Sequence, residues 1–516
     1  MTRTCKRISR FSVILLATCA FCSITYAQAI GDAAVAAART WRAANERLIL
    51  EQHIEFVKIP NTSRDKANVR RNAEHLLNML NKRGMNARLL EVSDAALLVY
   101  GEILHPGASS TYIFYVHYDG QPVDPKEWAT PPFEPTLRTA RLDKGGEVIV
   151  LPPGEQSLNP DWRLYGRAAA DDKGPITAML AALDALQTAH IRPPANLKFV
   201  FDGEEEIGSP NLARLLKEHR QLLRSDLFIV CDGPEHPSGG QTVAFGVRGA
   251  QTLEITVYGA NRELHSGHYG NWAPNSAMML VQLLASMRDH NGRILIPGFY
   301  DEVTPLTDIE RAAIDAIPND DATQMQGLLL GRTEGGGKRL AELITLPALN
   351  VRGIVSGHTG NQAVNAIPAT AAASIDIRLV KGMTRERAVE LLIQHIGKQG
   401  YYVTAAEPDE TTRLSHERVA RVSVDPGGYN AARTPMELPL ARKLISALEK
   451  ARTPLILQPT MGGSLPLIVI EGVLELPTIT VPTVNYDNNQ HTKNENLRLG
   501  NLWNAIDTMA ALFVME

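Results

Sequence analysis

The stretch that decides the fold is Leu197-Lys-Phe-Val-Phe-Asp202-Gly-Glu204-Glu205-Glu206-Ile-Gly208. Residues 197–201 are a short, mostly apolar run of the kind that forms a buried strand, and the acids follow at its carboxyl end. A run of three glutamates is usually a solvated surface. At a strand end, however, adjacent side chains diverge, so one Glu can bind a metal while its neighbour faces a bound water.

Two other apolar runs end in the same way. The first of these runs is Thr111–Tyr118, and Asp119 follows it directly. His117 and Asp119 are two positions apart and therefore point to the same side of a strand. A carboxylate so placed can hold the ring of a metal-bound histidine. The run Leu227–Cys231 is followed directly by Asp232. Each polar residue alone could be an ordinary surface residue, and it is their recurrence that indicates a site.

Further polar residues lie in predicted loops. Asp171 and Asp172 precede a predicted helix, Pro175–Ala189, where acids can serve as helix caps. For Asp172, capping and function are equally good explanations, whereas Asp171 is expected to bridge two cations with its two carboxylate oxygens. His491 lies in a polar loop after a predicted strand, Thr478–Val481. Two histidines with these carboxylates are the parts of a two-metal hydrolase site.

Short buried strands that alternate with helices predict an α/β fold, with a mixed central sheet flanked by helices. Near Gly246 the pattern changes to half-exposed strands, and the order β-α-β-α-β predicts an inserted α+β unit of ferredoxin-like type. We therefore expect a catalytic domain in two parts, residues 30–246 and 429–516, with a lid domain at 247–428 between them.

The N-terminal residues have the pattern of a secretory signal peptide. Four basic residues precede an apolar stretch, Phe11–Ile24, that is short for a membrane-spanning helix, and Ala27–Ala29 offers small residues for cleavage. We expect residues 1–29 to be removed, which predicts a secreted or periplasmic protein without stable membrane insertion. A membrane anchor, or a lipoprotein through Cys19 or Cys22, is the less favoured alternative.

The remaining composition narrows the classes of function. Beyond residue 29 the chain has 48 basic and 56 acidic residues, a net charge of −8 with histidine neutral. No basic run or stripe of aromatic and arginine residues is present, so nucleic acid binding is not expected. Cys231 is the one cysteine beyond residue 29, which excludes an intrachain disulfide there.

The order and spacing of five motifs resemble family M20 of the metallopeptidases, the co-catalytic zinc peptidases that include carnosinase-like dipeptidases and glutamate carboxypeptidase. The motifs are Tyr115–Asp119, Gly166–Gly174, Asp202–Gly208, Val230–Gly233 and Gln490–Glu495. The resemblance extends from about residue 50 to the end of the chain. It implies two zinc ions, although manganese or cobalt would also suit the donors. The residues that would bind the two ions are His117, Asp171, Glu206, Asp232 and His491.

In detail, the resemblance implies that His117 and Asp232 bind one ion and that Glu206 and His491 bind the other, with Asp171 bridging them. The resemblance also implies roles for two further residues. Glu205 would be the general base, and Asp119 would orient the histidine two positions before it.

Two departures from the family pattern are visible. Ala168 stands where the family usually has glycine, so its methyl group could strain the turn. Glu204 is an extra acid before the expected Glu pair, which leaves open a register shifted by one residue.

The predicted lid carries the other implied site residues. His265 matches a lid histidine that, in the dimers of the family, reaches the site of the partner subunit and polarises the substrate carbonyl. Arg378 matches a lid arginine that binds the substrate carboxylate, and Asn365 and Ser464 lie in motifs that contact substrate. A homodimer through the lid is expected, with the segment Thr252–Gly259 as a pairing edge.

The function implied by the resemblance is an exported di-zinc metallopeptidase. It would hydrolyse dipeptides, or the C-terminal residues of short peptides, through a hydroxide that bridges the metals. An N-acyl amino acid deacylase that uses the same site is the alternative. A catalytically inactive binding protein would lack turnover, and a solute-binding protein would lack zinc.

Overall fold

The computed structural model describes residues 11–91, 97–151, 153–154, 157–463, 465 and 467–516. The helices of the described residues are α1 (Phe11–Val57), α2 (Lys66–Lys82), α3 (Lys173–Thr188), α4 (Leu212–Glu218), α5 (Ser266–Tyr269), α6 (Ser276–Met287), α7 (Asp308–Ala316), α8 (Asp321–Gly327), α9 (Leu340–Leu343), α10 (Arg385–Lys398), α11 (Glu410–Ser415), α12 (Pro439–Ala451), α13 (Leu467–Leu474) and α14 (Leu499–Phe513).

The strands are β1 (Arg88–Glu91), β2 (Leu97–Ile103), β3 (Thr111–His117), β4 (Thr136–Arg138), β5 (Arg163–Tyr165), β6 (Asn196–Asp202), β7 (Leu227–Val230), β8 (Gln241–Ala244), β9 (Gly246–Val247), β10 (Gly249–Tyr258), β11 (Leu264–His265), β12 (Ala348–Val355), β13 (Ala366–Ile367), β14 (Thr370–Leu379), β15 (Tyr402–Thr404), β16 (Val419–Val424), β17 (Ala432–Arg433), β18 (Leu455–Gln458), β19 (Thr478–Thr480) and β20 (Asn496–Arg498).

The chain forms two compact units. The first comprises Met1–Val243, Pro435–Ile456 and Val469–Glu516, and the second comprises Ala244–Thr434 and Leu457–Ile468. The short segment Leu457–Ile468 thus belongs to the inserted unit. From the sequence, all residues after 428 were expected to belong to the catalytic domain.

An eight-stranded sheet organises the first unit, in the order β1-β2-β6-β3-β7-β19-β8-β18. The pairs β3/β6, β3/β7 and β7/β19 are parallel, whereas β1/β2 and β2/β6 are antiparallel. The three parallel strands β3, β6 and β7 are buried almost throughout, because helices cover a parallel sheet on both faces. The predicted α/β fold with a mixed central sheet is confirmed.

The register of this sheet brings its polar strand ends together. His117 at the end of β3 is paired with Asp202 at the end of β6, and Tyr115 is paired with Val230 at the end of β7. The carboxyl ends of the three strands therefore lie side by side, which is where open α/β sheets hold ligands.

Aromatic packing joins this sheet to the last helix. The ring of Phe513 in α14 meets those of Phe114 and Phe199 edge to face, with centroids 4.9 and 5.7 Å apart. Such pairs add to the hydrophobic burial of the rings themselves. Helices α1, α3 and α14 also pack against one another, so the end of the chain is built into the core.

Helix α1 runs without interruption from Phe11 to Val57. The cleavage point expected near residue 29 therefore lies inside a helix, and Ala34, Val35 and Ala38 on its next turns are buried in the core. Among the described residues, no helix combines the length and the apolar character required to cross a bilayer.

The second unit contains a five-stranded sheet in the order β12-β14-β10-β16-β15, antiparallel except for the β15/β16 pair. Its alternating strand β10 buries Leu253, Ile255 and Val257, which pack with residues of α6 and α10 in a single core. The predicted inserted α+β unit is confirmed. The segment Thr252–Gly259 is not a sheet edge, however, because β10 lies between β14 and β16.

Candidate metal centre

His117 lies at the centre of a cluster of acidic side chains in the first unit. Its Nε2 atom is 3.0 Å from Asp171 Oδ1 and 3.8 Å from Asp232 Oδ2. All three side chains are buried. Asp171 comes from the loop before α3, and the other two come from the ends of β3 and β7, so the sheet register described above is what joins them.

His491 approaches the same carboxylate from the opposite side. Its Nε2 atom is 3.1 Å from Asp171 Oδ2 and 3.2 Å from Glu206 Oε2. His491 has a φ of +61°, in the left-handed region that non-glycine residues adopt at a cost. Asp171 thus presents one oxygen to each histidine, and the five predicted ligands form one continuous group.

Candidate donor atoms in this cluster fall into two sets within the described residues. One comprises His117, Asp172 and Asp232, and the other comprises His117, Asp171 and Glu206; in each set the donor atoms lie within 4.8 Å of one another. Asp172 makes no side-chain capping hydrogen bond to α3. It holds the N-cap position without a side-chain capping bond, and its carboxylate lies among the donors.

The three consecutive glutamates have different surroundings. Asp119 accepts the backbone N–H of Glu205 on Oδ1 and that of Glu206 on Oδ2, each at 3.1 Å. The same carboxylate lies 3.4 Å from His117 Nδ1. Glu204 points elsewhere and accepts a hydrogen bond from Asn211 Nδ2 at 2.8 Å. In this register Glu206 is the residue that joins the cluster.

Gln121 is a contact that the sequence did not suggest. Its Nε2 donates to Glu206 Oε2 at 2.8 Å, and so fixes the carboxylate that faces His491.

The carboxylates of the cluster are costly to ionise where they lie, and a nearby positive charge would offset that cost. Burial raises the pKa of Glu206 to about 7 and that of Asp232 to about 6, and it raises the pKa of Asp172 well above the usual range. Asp171 in turn raises the pKa of His491 to about 9. Buried carboxylates this close together are costly to ionise unless a cation neutralises them.

One buried oxygen indicates where such a cation would fit. Asp171 Oδ2 is buried and accepts no hydrogen bond, although His491 Nε2 is close to it. Leaving a carboxylate oxygen without a donor costs free energy, whereas metal coordination would satisfy it. The mixture of imidazole nitrogens and carboxylate oxygens suits zinc, manganese and cobalt. The donor set therefore fits metal ions.

Glu495 is the main site residue that sequence reasoning left without a role. It is fully buried, and its carboxylate is 2.8 Å from Nη1 of the buried Arg167. It also accepts the backbone N–H groups of Ala168, Ala170 and Asp171. Glu495 was visible only as the last residue of the His491 motif, and nothing local in the sequence indicates its partners.

The strain expected at Ala168 is present: its φ is +62° and its side chain is buried.

The other predicted site residues lie in the second unit. His265 is exposed and precedes the single turn of α5, where its Nδ1 accepts the Gly267 N–H at 3.1 Å. The carbonyl of Asn365 accepts the N–H of Ser266 at 2.9 Å. Asn365 directly precedes β13, which pairs with the strand β11 that carries His265. Ser464 lies outside the described residues.

Arg378 lies on β14, with its Nε 2.9 Å from Asp376 Oδ2 and about a third of its side chain exposed. Arg248, which the sequence did not single out, is close by. Burial and the positive charge of Arg378 lower its pKa to about 10. Two guanidinium groups in one neighbourhood favour an anionic ligand there.

Paired histidines and carboxylates at the strand ends of a mixed α/β sheet define the class of metal-dependent hydrolases. The model of peptidase family M20/M25/M40 matches residues 113–514, which is more than half of the chain. The chain belongs to this family and is a hydrolase of it, which confirms the resemblance found in the sequence.

Individual relatives agree with this assignment. The Cys-Gly metallodipeptidase dug1 of Schizosaccharomyces pombe is 28% identical over 326 residues, which cover 62% of this chain and 64% of that protein. The Beta-Ala-His dipeptidase of Homo sapiens is 26% identical over 436 residues, covering 81% of this chain and 77% of that protein. An M20 family metallo-carboxypeptidase of Sulfolobus solfataricus has a solved structure with a TM-score of 0.72 and 28% identity, covering 90% of this chain and 98% of that one.

The prediction of a secreted or periplasmic protein is wrong. The Dug1 relatives, Cys-Gly metallodipeptidases that align with most of the chain, are cytosolic enzymes. The pattern that suggested export was one basic and apolar stretch, and α1 continues through its expected cleavage point.

Proposed function

We propose that the protein is a di-zinc dipeptidase, which hydrolyses the amide bond of dipeptides that carry a free carboxylate. The observation that carries this proposal is the convergence of four potential ligands around a fifth, Asp171, with Glu205 beside them. The names of the relatives, a Cys-Gly metallodipeptidase and a Beta-Ala-His dipeptidase, support dipeptides as the substrate class.

His117 and Asp232 would hold one ion, Glu206 and His491 the other, and Asp171 would contribute one oxygen to each. The distances from Asp171 to the two histidines support this division. Two such ions, when bound, supply Lewis acidity that polarises the amide carbonyl and lowers the pKa of water from 15.7 to about 7.

Glu205 is the residue that we assign to proton transfer. It is partly buried beside the cluster, and desolvation raises its pKa well above the usual range for a glutamate. It belongs to neither donor set of the described residues, so its carboxylate is available to take a proton from water. After the carbonyl is attacked, the same carboxyl group can return that proton to the departing amine.

Asp119 serves this arrangement by holding the backbone. Its two oxygens fix the N–H groups of Glu205 and Glu206, and its carboxylate faces the Nδ1 of His117. It therefore positions the base and two ligands together, which is a broader role than the histidine-orienting one that the sequence suggested.

The second unit would supply substrate recognition. Arg378 would bind the substrate carboxylate through its planar guanidinium group, with Arg248 adding positive charge. His265 would donate to the carbonyl oxygen as negative charge develops on it, and its exposure at the start of α5 makes it accessible. Asn365, which precedes the strand paired with that of His265, and Ser464 would contact the remaining parts of the peptide.

We also propose that the protein forms a homodimer through β12 of the inserted unit. This strand is at the edge of its sheet, and Val351, Ile354 and Val355 on it are exposed. A long edge strand with apolar side chains is a surface for pairing with another strand. Analytical ultracentrifugation should show a dimer that Ile354→Lys converts to monomer; a wild-type monomer at all concentrations would contradict this proposal.

Glu205→Gln tests the assignment of the base. Loss of a general base typically lowers turnover by about 10²–10⁴-fold, and the amide keeps the shape of the side chain, so zinc binding should persist. Glu204→Gln is the matched control, because this neighbouring residue bonds Asn211 and faces away from the cluster. Near-normal hydrolysis of dipeptides by Glu205→Gln, with the zinc content unchanged, would show that the base is misassigned.

An N-acyl amino acid deacylase would use the same cluster and the same arginine, because its substrates also combine an amide with a free carboxylate. A panel of dipeptides and N-acyl amino acids, assayed on the zinc-loaded protein, separates the two activities. Faster turnover of the acyl amino acids would favour the deacylase. Zinc binding without hydrolysis of any amide would indicate a binding protein.

A further inference from the structure

The carboxylate of Glu495 is saturated with hydrogen-bond donors. Its Oε1 accepts the N–H groups of Ala170 at 3.0 Å and Asp171 at 2.9 Å. Its Oε2 accepts the N–H of Ala168 at 3.0 Å and Nη1 of Arg167 at 2.8 Å. A carboxylate offers about four acceptor positions, so all of them are in use and every partner is a donor. This environment suits an ionised carboxylate that is not itself a metal ligand.

The backbone around Glu495 is folded to suit it. N–H groups of nearby residues that point inward form a concave site for an anion, and such charge-assisted bonds are among the strongest in proteins. The segment 167–171 adopts this shape although Ala168 then has a φ of +62°, which is unfavourable for a residue with a Cβ. Strain of this kind persists where the surroundings over-determine the conformation, and Glu495 supplies that constraint.

Arg167 extends the connection to the loop of His491. Its Nη2 donates to the carbonyl of Thr492 at 3.1 Å, and its guanidinium group lies 5.2 Å from the ring centroid of Trp128. Glu495 and His491 belong to the same loop, in which His491 and Asn494 both have positive φ. One buried ion pair therefore fastens the loop that bears Asp171 to the loop that bears His491.

We propose that Glu495 is a positioning residue that sets the separation of Asp171 and His491 before any metal ion binds. The inference rests on the proposed metal centre and deepens it. The side chains of Asp171 and His491 are 3.1 Å apart, and their loops are joined on one side, where β5 pairs with β20 and the N–H of Gly166 donates to the backbone carbonyl of Glu495 at 3.0 Å. Beyond that point, the side chain of Glu495 makes the contacts that reach residues 168–171. Glu495 thus acts on the affinity of the site for metal, through Asp171, and not on the chemistry of proton transfer.

Glu495→Gln tests this in the full chain. The amide keeps the size of the side chain, but its nitrogen cannot accept the hydrogen bonds that one of the two carboxylate oxygens accepts in the wild-type protein. We expect the affinity for Zn²⁺, measured by competition with a chromophoric chelator, to fall about 10- to 100-fold, as is typical when an outer partner of a ligand is lost. Hydrogen exchange in the metal-free protein should become faster in the peptide that contains residues 167–171.

Asp487→Asn is the matched control. Asp487 is on the same loop and makes an ion pair of the same kind, with its Oδ2 2.8 Å from Arg163 Nη2, but it does not contact residues 167–171. Its substitution should lower the melting temperature while leaving the zinc affinity and the exchange of that peptide unchanged. Glu495→Asp, which keeps the charge, should recover part of the zinc affinity, and it takes the place of Glu495→Gln should that variant fail to fold.

The outcomes separate this inference from the proposed function. Wild-type zinc affinity and wild-type exchange in a folded Glu495→Gln protein would overturn the positioning role alone. A wild-type protein that binds no Zn²⁺ would overturn the proposed metal centre, and the positioning role with it. Equal losses of zinc affinity in Glu495→Gln and Asp487→Asn would show that the effect is one of general stability, which also overturns the inference.

Discussion

The two units hold their candidate residues in different ways. In the first unit, the predicted ligands are mostly buried, and separate carboxylates hold the backbone that carries them: Asp119 holds residues 205 and 206, and Glu495 holds residues 168–171. In the second unit, His265 is exposed and Arg378 is partly exposed, and the contacts around them come from their own or adjacent strands.

Under the proposed function, this difference corresponds to a division of tasks. A metal site needs its ligands fixed within a fraction of an ångström, which buried side chains with saturated hydrogen bonds provide. Residues that recognise varied substrates need access to solvent and some freedom to move. Changes in the first unit should therefore affect metal binding and stability, whereas changes in the second should affect the discrimination of substrates.

The largest effect should come from Asp171→Asn. This change leaves both histidines without the negative charge that lies between them. Zinc affinity should fall by more than the roughly 10- to 100-fold that loss of an outer partner costs, and hydrolysis should be lost with it. Chelator competition and metal analysis measure the effect, with Asp184→Asn, which pairs with Arg83, as control. Retention of both ions would mean that Asp171 is not shared between them.

A smaller effect, confined to substrates, should follow Arg378→Lys. Lysine keeps the charge but not the planar pair of donors, so kcat/KM for dipeptides should fall about 10- to 100-fold, the range of a charge-assisted hydrogen bond. C-terminally amidated dipeptides should be cleaved equally slowly by both proteins. Arg421→Lys, on β16 of the same sheet, where Arg421 pairs with Glu407, is the control. A change in zinc affinity would contradict the division between the units.

Acid should affect the stability of the first unit more than that of the second. Burial, with the positive charge of Lys173, lowers the pKa of His53 to about 4, and His53 contacts Thr177 and Ala169. An unfolded chain protonates this histidine near pH 6.5, so its contribution to stability is complete above that pH. As the pH falls from 6.5 to 4, the contribution is lost at up to about 1.4 kcal/mol per pH unit.

Denaturant melts between pH 4 and 7 measure this dependence, which His53→Gln should flatten. The matched change His395→Gln in the second unit should alter the pH dependence less, because burial also lowers the pKa of His395 but by a smaller amount than that of His53. Equal changes in the two variants would show that the units respond alike to acid.

The smallest effect should come from Ala168→Gly. Glycine adopts a positive φ without a steric penalty, so removing the methyl group should raise the free energy of unfolding by about 1 kcal/mol. Ala170→Gly, in the same loop but at a position without positive φ, should lower it by about 0.5–1 kcal/mol. Thermal melts of the metal-free proteins check both signs. A lower melting temperature for Ala168→Gly would mean that packing of the methyl group outweighs the strain.

The elements and the ligand cluster could be predicted because their signals are local. Apolar runs that end in His117, Asp202 and Asp232 mark strand ends, and parallel strands place such ends at one edge of a sheet. The pairing of Arg167 with Glu495 could not be predicted, because the two residues are 328 positions apart and periodicity reports burial, not partners. For the same reason, the alternation in Thr252–Tyr258 revealed one buried face but not the strands on either side.

The position of β19 between β7 and β8 has a consequence for synthesis of the chain. The inserted unit is nearly continuous in sequence, so most of it can fold while the ribosome is still translating. The central sheet of the other unit cannot close until residues 478–480 have emerged, and His491 and α14 emerge later still. Until then, Asp171, Glu206 and Asp232 are present on the nascent chain without the second histidine of the cluster.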